Sequence, residues 1–85
     1  MEPVERRAHR REIRELVTTL RYARQRRDRI AARAQAAAAA AAGGRRQGMD
    51  RLLRLLTHHN LVQGEVAWLE RELARLWAEY RRAGR

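Results

Sequence analysis

The chain has 85 residues and contains no cysteine, lysine, serine or phenylalanine, and a single proline. Without cysteine, neither a disulfide framework nor a thiolate zinc site can form. Without serine, the hydroxyl groups reduce to Thr18, Thr19, Thr57 and two tyrosines. Gly43, Gly44 and Gly48 do not match the spacing of a phosphate-cradling loop. The longest apolar run is Ala36–Ala42, far short of the ~20 residues that cross a bilayer, and there is no apolar core of a signal peptide. Glu2, Glu5, Glu12 and Glu15 argue against a mitochondrial leader, a class poor in acids. The expectation is a soluble cytoplasmic or nuclear protein with no cofactor, metal, membrane or small-molecule substrate. Two helices enclose no water-excluding pocket, which speaks against an enzyme.

The histidines give no metal site. His58 and His59 point about 100° apart on a helix and lack a third ligand, while His9 is remote in sequence. They read as surface or seam residues, His59 as a polar seam position that tunes register.

What the chain has is arginine. All 20 basic residues are arginine, and the net charge is +10. Guanidinium binds phosphate and carboxylate bidentately and stacks on flat rings. Residues 1–48 carry 13 arginines against 5 acids (+8), and residues 49–85 carry 7 against 5 (+2). A basic function therefore belongs mainly to the first half.

The punctuation is that of two helices. Pro3 suits a first helical turn, and Glu2 and Glu5 complement the dipole there. No breaker follows until Gly43, and Ala34–Ala42 is nearly pure alanine, the best helix former. Helix 1 is read as about 3–42. Residues 43–48 form a short turn, and helix 2 runs from about 50, with Asp50 as its N-cap, to 83, before Gly84. Short connections join antiparallel neighbours. The fold class is all-α: one 1–85 domain of two long helices in an antiparallel hairpin, expected to dimerise into a four-helix bundle.

Heptads support this. In helix 2 the a positions are Leu52, His59, Val66, Leu73 and Tyr80, and the d positions are Leu55, Val62, Leu69, Leu76 and Ala83. Only His59 is neither apolar nor aromatic, a coiled-coil-like pattern. Helix 1 has a weaker seam of Ile13, Leu16, Leu20, Ala23, Ile30, Ala34 and Ala37, interrupted by Arg27. A turn centred on residues 45–46 would set Arg26 opposite Glu65. Outside the seam lie Leu53, Leu56, Leu61, Trp68 and Trp77, more than one partner helix covers; two open tryptophans are a patch that monomers rarely display. The expected oligomer interface is Leu52, Leu55, Val62, Val66, Leu69, Leu73 and Leu76 with Trp68 and Trp77. Leu52-Leu53-Arg54-Leu55-Leu56 matches the LxxLL docking pattern, which leucine heptads produce by chance. His58-His59-Asn60 and Gly64 are a soft spot where helix 2 is most prone to kink.

On a helical wheel at about 100° per residue, Arg7, Arg10, Arg11, Arg14, Arg21, Arg29 and Arg33 lie opposite the helix 1 seam, with Arg26 at the edge. The run from Arg21 to Arg33 holds six arginines and one aspartate. In composition it is similar to the arginine-rich helical segments with which some viral proteins bind RNA. Such a face neutralises phosphates and releases counterions. A rod with no loop or sheet for unstacked bases suits the shape of a duplex. The reading is an oligomeric nucleic-acid-binding protein, a homodimer, with double-stranded or structured RNA favoured over DNA. Arg7, Arg10, Arg14, Arg21, Arg26, Arg29 and Arg33 are its binding residues. A small viral RNA-sequestering protein built as a dimer of hairpins would look like this. The alternative is a coiled-coil adaptor or small subunit of a larger assembly, whose arginines are a solvated face.

Overall fold

The computed structural model describes residues 2–84. Two helices make up the fold, α1 (Pro3–Ala42) and α2 (Arg46–Ala83), packed side by side as an antiparallel rod of 62 × 15 × 13 Å. No strand occurs among the described residues. No helix among them is long and apolar enough to cross a membrane.

Pro3 occupies the first turn of α1, where its missing N–H leaves no bond unmade. At the other end the turn is only Gly43, Gly44 and Arg45. Gly44 takes φ +83°, the left-handed region that glycine enters without strain. Its N–H bonds Ala41 O at 3.0 Å and the Arg45 N–H bonds Ala40 O at 3.3 Å, a Schellman closure of the last carbonyls.

Helix α2 starts at Arg46, four residues before the Asp50 start read from the sequence, and no side chain caps it. Gly48, expected in the turn, is instead buried in the first turn of α2. It lies against α1 so closely that a Cβ there would fall 2.7 Å from Ala41 N. The absence of a side chain thus brings the backbones together and lets the helix begin at once. The hairpin centre moves to Gly44, and the register differs by about three residues from one centred on 45–46. The soft spot at residues 58–64 produces no break.

The seam follows the heptads. Ile13, Leu20, Ala23, Ile30, Ala34 and Ala37 of α1 and Val62, Val66, Leu69 and Leu76 of α2 are buried along it. At mid-rod Leu20, Ala23, Val66 and Leu69 form the core cluster, flanked by Leu16 and Leu73, and Val66 is fully enclosed at 0% exposure. Burying a side chain of this size contributes ~1.5–3 kcal/mol. Leu52, Leu55, Leu73 and Tyr80 are half-buried. The residues expected at an oligomer interface therefore divide. Leu52, Leu55, Val62, Val66, Leu69, Leu73 and Leu76 meet helix α1 of the same chain, and of that set Trp68 and Trp77 are left exposed. A ladder of leucine and valine has the same spacing whether its partner is the same chain or another; here α1 of the same chain lies along it.

Candidate nucleic-acid interface

The arginines expected to form one stripe occupy two flanks of the rod. Arg7, Arg10, Arg11 and Arg14 line a shallow groove with Ile13, Val17, Thr18 and Trp77. Arg21 extends that row at seven-residue spacing, and Arg24 adjoins it, bridging across the seam to Glu70 at 3.6 Å. On the opposite flank Arg26, Arg29 and Arg33 share a groove with Ile30 and His58. Arg33 continues it toward the turn, with Arg45, Arg51 and Arg54 around Gly48. The cause is the five-residue step from Arg21 to Arg26, a rotation of about 140°. The seam drifts slowly round the helix, and that step carries the arginines past its far side.

The expected Arg26–Glu65 pair is replaced. In the shifted register the Arg26 guanidinium donates to His58 Nε2 at 3.1 Å, and among the described residues Arg24–Glu70 is the ion pair that joins the helices. Arg27, at the seam position it was expected to interrupt, is half-buried and donates to Gln63 Oε1 (3.3 Å) and Asp28 Oδ1 (3.2 Å). Arg75 sits between Glu72 and Glu79, 2.7 Å from an oxygen of each, and these carboxylates, Glu72 foremost, push its pKa above the ordinary arginine value. Among the described residues, Arg7, Arg10, Arg14, Arg21, Arg29 and Arg33 form no ion pair with a carboxylate. They are exposed.

The row from Arg7 to Arg24 spans 17 residues, about 26 Å of helix axis. It carries Arg7, Arg10, Arg14, Arg21 and Arg24 at three-, four- and seven-residue steps, with Val17 filling the gap. Trp77 lies alongside at 42% exposure, edge-on to Tyr80 (5.9 Å, 83°). Such a row can grip a polyanionic backbone along its length. It has no loop in which to hold an unstacked base.

One cluster at the open end was not read from the sequence. Arg6 lies over the Tyr80 ring, 4.6 Å from its centroid, and donates to its hydroxyl at 3.2 Å. His9 stacks on the same ring and donates from Nε2 to Leu76 O at 2.9 Å. The signal was available, since the α1 seam extended backward from Ile13 lands on His9 and Arg6. Thr18, Thr19 and Thr57 each donate to the carbonyl four residues earlier. No group of three or more metal-ligating side chains occurs among the described residues.

No family model matches the chain, and no curated protein or solved structure is similar to it.

Proposed function

We propose that the chain is a non-enzymatic nucleic-acid-binding protein that grips the phosphate backbone of a duplex, double-stranded or structured RNA in preference to DNA. The observation that carries this is the row Arg7, Arg10, Arg14 and Arg21, exposed, regularly spaced and without a carboxylate partner among the described residues. An arginine face that merely solvates a helix tends to be interleaved with acids three and four residues away, as Arg75 is with Glu72 and Glu79. Phosphate contacts supply the affinity, and sequence selectivity is weak because no side chain is poised to read base edges. A rigid rod fits a duplex by its shape, which is how double-stranded RNA is mostly recognised. In this reading the chain acts as a homodimer, and sequestering viral RNA is a role that it would suit.

The test is titration against a short RNA duplex and a DNA duplex of the same sequence. With six phosphates engaged, affinity should fall by about 10³-fold between ~50 and ~200 mM salt. Absence of binding at the lower salt would sink the proposal.

A second reading has its own observation. Met49, Leu53 and Leu56 are exposed near the turn on α2, with no arginine role to explain them. They favour a coiled-coil adaptor that docks on a larger assembly, and such a protein would show no salt-dependent duplex binding.

A further inference from the structure

The flank that bears Arg26, Arg29 and Arg33 is polarised along its length. Toward the open end, Glu12, Glu15 and Glu72 line a groove with Trp68, and the one arginine there, Arg75, is held between Glu72 and Glu79. Toward the turn, Arg29, Arg33, Arg51, Arg54 and His58 line the grooves and no acid does. Between the two halves stand Tyr22, Leu61 and Trp68, exposed by 66%, 71% and 53%.

The spacing about that midpoint is symmetric on both helices. On α1, Glu15 and Arg29 each lie seven residues from Tyr22. On α2, Glu72 and His58 lie seven residues from Glu65, Glu79 and Arg51 lie fourteen, and Trp68 and Leu61 straddle it. Tyr22 and Glu65 line the same groove, so the two midpoints coincide on the rod. A surface whose halves are opposite in charge about a single point is complementary to itself after a half-turn.

We propose that a second copy of this chain docks antiparallel on this flank, about a twofold axis through Tyr22 and Glu65. The rotation sets Glu15 on Arg29, Glu12 on Arg33, Glu72 on His58, Glu79 on Arg51 and Trp68 on Leu61, each contact made twice. Docking with the open ends together would lay acid on acid and arginine on arginine. Glu65 meets its own mate at the axis, where Arg26 and Arg29 line the groove and supply countercharge. Arg75 comes opposite Arg54, but it is already held between Glu72 and Glu79. The rod outline of 62 × 15 Å accommodates the ~800 Å² per partner of a standard interface. This deepens the proposed function and rests on its premise that the chain self-associates. It leaves the Arg7–Arg21 row facing outward on both copies.

The experiment uses the full chain and light scattering. The wild type should have about twice the 10.0 kDa mass of one chain. Glu12→Arg with Glu15→Arg, and separately Arg29→Glu with Arg33→Glu, should each halve that mass. An equimolar mixture of the two variants should restore it, because each then supplies the charge that the other lacks. Since the chain has no cysteine, Tyr22→Cys should give a covalent dimer on oxidation, while Leu56→Cys, on the other flank, should not. The cysteine pair keeps the proposal testable if a charge variant loses its helical circular dichroism. A wild type of single-chain mass at tens of micromolar, variants that stay dimeric alone, or cross-linking at 56 and not at 22 would overturn it. The duplex titration is read separately. A monomer that binds RNA overturns the docking alone, and a dimer that binds no duplex overturns the function alone.

Discussion

Two glycines of α2 should respond in opposite directions to the same substitution. At Gly48 an added methyl would meet Ala41 N at 2.7 Å and Ala40 C at 3.0 Å, both backbone atoms of a rigid helix. Gly48→Ala must therefore force the helices apart at the turn, and should cost ~1–3 kcal/mol. At Gly64 nothing lies within 4 Å. Gly64→Ala should raise stability by ~0.5–1 kcal/mol, because alanine loses less backbone freedom in a helix. Urea denaturation of both variants checks the pair, and a neutral Gly48→Ala would mean that the close approach at the turn does not matter. Val66 provides the reference for ordinary packing: fully enclosed at mid-rod, its truncation to alanine should cost about 2 kcal/mol.

The helices themselves were legible because apolar periodicity and helix punctuation agreed. Pro3, the alanine run, Gly44 and the heptads of α2 all carried the same message, and the bounds of α1 follow from them. What was not legible was the role of Gly48. Glycine in sequence marks a breaker, and only the approach of α1 turns it into a contact residue. That one misreading delayed the start of α2 and shifted the register that had paired Arg26 with Glu65. Arg27 offers a test of the seam as a unit. It interrupts the apolar ladder of α1, and its head group bonds only solvent-exposed partners, Asp28 and Gln63. Arg27→Leu should raise the urea midpoint, worth about 1 kcal/mol of added apolar burial. A lower midpoint would show that the Gln63 contact outweighs the packing gained.

For the molecule as a whole, the arginine content was legible but its geometry was not. A wheel drawn on a straight helix merges Arg7–Arg21 with Arg26–Arg33, because it ignores which neighbours flank the seam. The second helix separates them, with Trp77 beside one set and His58 beside the other. The proposed function and the proposed docking therefore draw on different arginines. Arg7→Ala, Arg10→Ala and Arg14→Ala together should lower the slope of log affinity against log salt by ~2.7 in duplex binding and leave the mass unchanged. Arg29→Ala with Arg33→Ala should weaken the dimer first. If both sets changed the duplex slope equally, a single continuous track would be the better description.

The left-handed backbone at Gly44 is also what keeps the two long helices of one chain folded back on each other. Alanine at positions 43 and 44 would favour an unbroken helix of about 120 Å over the bend. Each ladder would then lose its covalent neighbour and could be satisfied only by trading halves with another chain, end to end. Such an exchanged dimer would have the same mass as a side-by-side one but would sediment more slowly, so the shape of the molecule is governed by two adjacent residues that touch nothing in its core.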